Sequence, residues 1–393
     1  MSAKKDEATI VTEPLPTSSR EVRSLVTEQG VLELSLADAP VPSLAPSDVL
    51  VRVEAAPINP SDLGLLLAGA DVASAKVEGT SERPVVLAPL VDGALRSLAA
   101  RVGKSLSVGN EGAGTVVAAG SSSEAQSLVG RTVAVAGGSM YAQYRALSVT
   151  SCLVLPPGTS AEEGASSFVN PLTALGMIET MRREGHKGIV HTAGASNLGQ
   201  MLVKLCLEED VPLVAIVRKP EQVEMLRSIG AVHVCDSSSS TFMPELIDAL
   251  SVTSATIAFD AIGGGKLVSY ILTAMEAAAN ASAQGYSRYG STVHKQVYIY
   301  GGLDPTPTTL TRSFGFAWGL GGWLLTPFLG TLDLDTFSRL RARVADGLKT
   351  TFSSSYTGKV SLAGLLDPGV LSRTAKQATG EKYLVVPHQD DPE

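Results

Sequence analysis

The sequence predicts an α/β chain of two domains, one β-rich and barrel-like, the other built on a doubly wound parallel sheet. Three observations predict it. The first part of the chain alternates short apolar runs with prolines, which is strand-and-turn grammar. After Pro156-Pro157-Gly158 the pattern changes to buried strands alternating with amphipathic helices. A turn of small residues then joins the first of those strands to its helix, as a phosphate-binding turn does. The 393 residues are enough for two hydrophobic cores.

In the first domain, Val49-Leu50-Val51-Arg52-Val53 reads as a strand, with Pro40, Pro42 and Pro46 breaking the chain before it. Residues 112–119 (GAGTVVAA) and 131–135 (RTVAV) are further strands across a Ser121-Ser122-Ser123 loop. Residues 70–109 are less patterned and read as a long excursion with a helix around 95–102. In the second domain, 161–183 is helix-compatible with a break at Asn170-Pro171. Ile189-Val190-His191 is a buried strand, followed by a helix whose apolar face is Leu198, Met201, Leu202, Leu205 and Cys206. Residues 213–217 (LVAIV) form a second strand. A helix over 220–229 follows, with Pro220 at its start and Gly230 at its stop. Later strands are expected at 231–235, 256–259 and 297–300, a helix at 337–350, and a last strand at 383–386 that could rejoin the first domain. The expected boundaries are a flexible tail at 1–20, the β-rich domain at 21–165 and 315–393, and the sheet domain at 166–314.

The formal net charge of −8 lacks the basic face that a nucleic-acid binder needs, and it disfavours anionic membranes. Cys152, Cys206 and Cys235 form no CxxC pair and have no histidine at metal-ligand spacing. A disulfide framework and a cysteine-rich zinc site are therefore not expected, and buried thiols in a reducing, cytoplasmic compartment are. Residues 1–20 lack the apolar segment of a secretory signal. The uncharged stretch 314–330 (FGFAWGLGGWLLTPFLG) is short and glycine-rich for a spanning helix, and reads as buried or interfacial structure near a pocket.

Residues 190–199 (VHTAGASNLG) carry the small-residue turn, as Ala193-x-x-Ser196-x-x-Gly199 rather than GxGxxG. Asn197 tolerates left-handed angles and Ser196 can donate a hydroxyl, so Ala193, Ser196, Asn197, Leu198 and Gly199 are candidate dinucleotide ligands. The second strand ends in Arg218-Lys219, where a binder of the unphosphorylated ribose would carry an acid. This predicts NADPH over NADH; the alternative is a solvated pair at a helix start. Ala261-Ile262-Gly263 and Tyr300-Gly301-Gly302 follow later strands and allow close backbone approach to the nicotinamide half, unless they are plain turns.

Taken in order, several segments resemble the medium-chain dehydrogenase/reductase family: 50–62 (LVRVEAAPINPSD), Gly109-Asn110-Glu111-Gly112-Ala113-Gly114, 130–144 (GRTVAVAGGSMYAQY), the 193–199 turn and 259–264. The resemblance implies a GroES-like catalytic domain, a Rossmann cofactor domain, NADPH as cofactor and a homodimer. Zinc-dependent members place Cys in the early turn and His before the Glu, where this chain has Asn59-Pro60-Ser61-Asp62 and Asn110-Glu111. It is therefore similar to the zinc-free quinone oxidoreductase and enoyl reductase branch. Residues 63–69 lack the tyrosine that mitochondrial-type enoyl thioester reductases carry there. The implied reaction is hydride transfer to a quinone or α,β-unsaturated carbonyl, with Asn59, Ser61 and Asn170 as donors to the developing oxyanion and Tyr141 or Tyr144 as a proton source. Asp62 is either a site carboxylate or a turn cap, and the tyrosines either act or pack a strand. Thr173, in Asn170-Pro171-Leu172-Thr173-Ala174, is implied to meet the nicotinamide ribose. The alternative is an NADPH-binding protein of little turnover, similar to zeta-crystallin.

Overall fold

The computed structural model describes residues 16–281, 285 and 287–391. The chain divides into unit 1, Met1–Ala165 with Tyr356–Gln377 and Lys382–Glu393, and unit 2, Ser166–Ser355 with Ala378–Glu381.

The strands of unit 1 are β1 (Ser18–Val26), β2 (Val31–Pro40), β3 (Asp48–Pro57), β4 (Lys76–Gly79), β5 (Pro84–Pro89), β6 (Ser105–Ser107), β7 (Glu111–Ala119), β8 (Thr132–Ala136), β9 (Tyr144–Ser148) and β10 (Cys152–Val154). Strands β11 to β18 belong to unit 2. Then β19 (Gly358–Val360) and β20 (Tyr383–Val385) return to unit 1. Among the described residues they form one sheet ordered β4-β5-β2-β1-β6 and another ordered β10-β8-β7-β3-β20-β19, with β9 also on β3. Period-two burial explains them: β1 turns Val22, Ser24 and Val26 inward, and β2 turns Leu32 and Leu34 inward. β3 is the hub. Its Asp48–Arg52 half pairs with β9 and its Ala56-Pro57 end with β20, so the last strand does rejoin the first domain. The 70–109 excursion adds the β4–β5 hairpin and β6 to the first sheet, and its expected helix is two short turns, Ala94–Ser97 and Ala99–Arg101.

Two expectations change here. β1 begins at Ser18, inside the expected tail, while residues 1–15 lie outside the described residues. The helical stretch 161–183 is two helices, Ala161–Gly164 and Val169–Arg183. The interruption precedes Asn170-Pro171, and Pro171 sits in the first turn of the second helix, where its missing N–H leaves no bond unmade.

Unit 2 contains β11 (Ile189–His191), β12 (Leu213–Val217), β13 (His233–Asp236), β14 (Ile257–Asp260), β15 (Gly263–Gly265), β16 (Lys295–Ile299), β17 (Asp304–Thr308) and β18 (Trp318–Gly322). Six of them make a parallel sheet ordered β13-β12-β11-β14-β16-β18, the doubly wound order with its switch point beside β11. β12 shows why both faces are covered. Val214 and Ile216 pack with Leu246, Leu250 and Ile271 on one side. Ala215 and Val217 pack with Val203 and Leu226 on the other. The expected strand at 297–300 is internal; β18 flanks it and takes the outer position. Residues 315–355, expected with the β-rich domain, group with unit 2 because β18 extends its sheet and the helix Leu334–Gly347 packs on Val169–Arg183. Among the described residues, no helix is long and apolar enough to cross a membrane.

Candidate functional site

Each unit carries its own candidate cluster. In unit 2, β11 runs into the turn at Ala193, which takes a left-handed φ of 51°. This conformation costs alanine about 1 kcal/mol. Asn197, expected to supply such angles, is instead the first residue of the helix Asn197–Glu208. Ser196 caps that helix: its Oγ accepts from the Gly199 N–H at 3.1 Å and keeps its proton to donate. The first-turn amides of Asn197 and Leu198 have no acceptor among the described residues, so the helix start presents donors to an anion. Asn197 Nδ2 donates to Ser354 Oγ at 3.1 Å.

The β12 end places Arg218 and Lys219 in solvent, with the Arg218 N–H donating to Gln222 Oε1 at 3.2 Å. The β14 end is held by Asp260, which is fully buried. Its Oδ1 accepts from Thr192 Oγ1 (2.7 Å) and the Ile262 N–H (3.0 Å), and its Oδ2 from the Gly263 N–H (2.9 Å). Thr192 Oγ1 in turn accepts from the Ala261 N–H at 2.8 Å. The two glycine loops are zipped together: the Tyr300 N–H reaches the Asp260 carbonyl, and the Leu303 and Asp304 N–H groups reach those of Ala261 and Ile262. Beside them Ile299, Tyr300, Gly301, Gly322, Trp323, Leu324 and Pro327 line an open pocket of about 360 Å³. The 314–330 stretch therefore does border a pocket, but it is not buried throughout: Phe316 is 80% and Leu324 62% exposed. Asn170 is half-buried in the first turn of its helix, and the Thr173 hydroxyl donates to the Val169 carbonyl.

Beneath the turn, His191 Nε2 and the Tyr300 hydroxyl are 2.7 Å apart. Burial pushes the imidazole down to about 3 and raises the phenol. The folded protein keeps His191 neutral, whereas the unfolded chain takes up a proton below about 6.5. Stability is thus present above pH 6.5. It should fall by up to about 1.4 kcal/mol per unit as pH drops from there toward 3. Urea midpoints read by tryptophan fluorescence suit this test, because Trp318 and Trp323 both lie in unit 2. A His191→Gln variant whose pH dependence between 6.5 and 4.5 matches the native chain would contradict it.

In unit 1, Asn59 precedes the helix Pro60–Leu66, with Pro60 at its first position. Asp62 Oδ2 accepts the Asn59 N–H at 2.8 Å and its Oδ1 the Asn110 N–H at 2.7 Å, tying the turn to the 109–111 segment. Asn59 Nδ2 donates to Glu111 Oε1 at 2.8 Å, and Asn110 Nδ2 to Ser61 Oγ at 3.0 Å. Because Glu111 can only accept, the amide orientation of Asn59 is settled. Its Oδ1 is then a buried acceptor with no donor among the described residues. Burial pushes the Asp62 carboxyl up to about 7, against the two backbone N–H bonds and with Glu111 adding to the rise. Burial likewise pushes the Lys382 amine down to about 8, while Glu111 and Asp62 oppose it.

The expected catalytic residues lie as follows. Asn59 is 1% exposed with an N–H committed to Glu111, Asp62 is buried as a double backbone clamp, and the buried Tyr141 hydroxyl donates to the Pro57 carbonyl at 3.1 Å. All three hold the turn in shape. Ser61 stays exposed, and its hydroxyl accepts from Asn110 and retains its proton. Tyr144 is half-buried with its ring edge-on to His388. Sequence reasoning missed Glu111, Lys382, Thr192, Asp260 and His191 as site components. Glu111, Asp260, His191 and Thr192 stood inside quoted motifs; Lys382 has no local signal. Among the described residues, no group of three or more His, Cys, Asp or Glu side chains is gathered to hold a metal ion.

No family model matches the chain. A mitochondrial enoyl-[acyl-carrier-protein] reductase of Xenopus tropicalis is 26% identical over 310 residues, covering 76% of this chain and 75% of that protein. The synaptic vesicle membrane protein VAT-1 homolog of Rattus norvegicus is 27% identical over 158 residues, 40% of this chain and 39% of that one. A solved structure from Mesorhizobium loti, named for NADPH:quinone reductase activity, superposes with TM-score 0.71 at 25% identity, covering 95% of this chain and 100% of that chain. The two-unit fold, the doubly wound sheet order and these likenesses agree: the chain is similar to the quinone and enoyl reductases of the medium-chain dehydrogenase/reductase family.

Proposed function

We propose that this chain is a metal-independent, NADPH-dependent reductase of quinones or α,β-unsaturated carbonyls. The observation that carries the reading is the unit 2 cradle. Free amides at the start of the helix Asn197–Glu208 suit a pyrophosphate, and the Arg218-Lys219 cations at the end of β12 suit a ribose phosphate. The glycine loops at 261–263 and 300–302 and the apolar pocket with Trp323 suit a nicotinamide ring. Thr173 orients through its helix start rather than by its hydroxyl, which is already donated. Bound NADPH supplies the hydride. In unit 1, Ser61 Oγ–H is the side-chain donor free to hold the oxyanion that develops on a carbonyl. Asn59, Asp62 and Tyr141 keep that turn rigid. The asparagines at 59 and 110, in place of sulfur and imidazole ligands, support metal independence. The buried thiols of Cys152, Cys206 and Cys235, none of them in a disulfide, suit a reducing, cytoplasmic compartment.

Fluorescence titration of metal-free protein with NADPH and NADH, followed by a panel of quinones and enones, tests the reading. NADPH should bind at least about tenfold tighter than NADH, and Arg218→Ala should bring the two affinities close together. Oxidation on adding one panel member, unaffected by a chelator, completes the assignment. NADPH bound but never oxidised would favour a binder of little turnover; binding of neither nucleotide would end the proposal. The outer strand β18 and the exposed Phe316 and Leu320 support a homodimer joined at that edge, and light scattering giving a monomer mass would remove it.

A further inference from the structure

Residues beyond 355 belong to unit 1 except for Ala378–Glu381, which group with unit 2. The link is the Gln222 carboxamide. Its Oε1 accepts the Arg218 N–H at 3.2 Å and its Nε2 donates to Thr379 Oγ1 at 3.0 Å. The backbone N–H can only donate, so the amide has one possible orientation, and Thr379 must be an acceptor toward Gln222. The Thr379 proton is therefore the unused end of a run of donors that all point the same way, and no acceptor for it is present among the described residues. Thr379 is exposed, one carboxamide's width from the strand end that carries Arg218 and Lys219. Two cations and an aimed hydroxyl donor at one strand end, with no carboxylate beside them in sequence, match a phosphate monoester better than a neutral diol, which such sites hold with an acid.

We infer that Thr379, held by Gln222, is a specificity-determining residue that donates its hydroxyl to the 2′-phosphate of the dinucleotide. The turn Ala378–Glu381 thereby becomes part of the cofactor site of unit 2. This rests on the NADPH reading above and goes beyond it in naming a C-terminal residue, far from the nucleotide-binding motifs in sequence, as the second reader of that phosphate. Gln222 is a positioning residue, acting through Thr379 and through the Arg218 backbone.

The test is binding, not turnover. NADPH, NADH, 2′,5′-ADP and 5′-AMP are titrated against the native chain, Thr379→Val, Thr379→Ser and Gln222→Leu. Thr379→Val should weaken NADPH and 2′,5′-ADP about fivefold to tenfold and leave NADH and 5′-AMP unchanged. Thr379→Ser should restore native affinity, and Gln222→Leu should reproduce the selective loss. If the native chain prefers NADPH and Thr379→Val keeps the same NADPH-to-NADH ratio, the inference is wrong while the functional reading stands. Equal loss for both dinucleotides also overturns it, since that marks a general structural role. If the native chain binds neither dinucleotide, the functional reading fails and takes this inference with it.

Discussion

Replacing Gly199 with alanine is expected to lower dinucleotide affinity at least about a hundredfold, the largest binding loss predicted for any single methyl group in this chain. A Cβ at Gly199 would lie 2.1 Å from the Gly194 carbonyl oxygen and 2.6 Å from its carbon. These are backbone atoms, so no side-chain rotation relieves the clash. Either the helix start or the 193–196 turn must move by more than an ångström. Both carry the cradle: the turn holds the strained Ala193, and the helix start holds the Ser196 cap and the Asn197 and Leu198 amides. The control is Gly194→Ala. Its added Cβ meets Ala215 Cβ at 3.1 Å and Leu226 Cδ1 at 3.2 Å, and leucine can give way. Titration of both variants with NADPH should therefore separate them by at least an order of magnitude. Similar affinities would mean that the helix start does not hold the pyrophosphate.

Whether a feature could be read in the sequence depended on how local its cause is. β11, β12 and β14 were legible because a strand buried on both faces is a continuous apolar run. β18 was not. Trp318-Gly319-Leu320-Gly321-Gly322 has no β-branched residue and three glycines, a composition that argues against a strand. The glycines are there for their neighbours: a Cβ at Gly319 would lie 2.3 Å from Gln296 Oε1 and one at Gly321 3.1 Å from the Tyr298 ring, so both β16 side chains lie across β18. Buried polar pairs were equally invisible. Asn59 and Glu111 are 52 residues apart, and the buried Lys295–Glu276 ion pair joins a strand to a helix 19 residues before it. The phosphate turn was legible as a turn, but its left-handed residue was misplaced. Asn197 has the propensity for αL, yet the helix beginning there claims it and leaves Ala193 to take the strain.

Asp260→Ala should destabilise unit 2 by about 3–5 kcal/mol, the largest single loss of stability expected from a polar residue here. Asp260 is fully buried, and its recorded partners are donors without charge: the Thr192 hydroxyl and the Ile262 and Gly263 amides. Those hydrogen bonds take the place of water around the carboxylate. Removing the carboxylate strands the donors in a site that solvent does not reach, and each buried unmade bond costs about 1–3 kcal/mol. Asparagine separates this account from simple loss of packing. Its oxygen can keep the Thr192 and Ile262 bonds, while its NH2 group would face the Gly263 N–H, donor against donor. Asp260→Asn should then cost about 1–3 kcal/mol, less than alanine although it is nearly isosteric with aspartate. Urea midpoints followed by Trp318 and Trp323 fluorescence measure both. Nucleotide affinity should fall in the same order, because the carboxylate shapes the loop from Ala261 to Gly263 that runs alongside Tyr300 and Gly301. An alanine variant within 1 kcal/mol of native would show instead that the loop keeps its shape through its backbone bonds to 303 and 304 alone, with Asp260 merely accommodated.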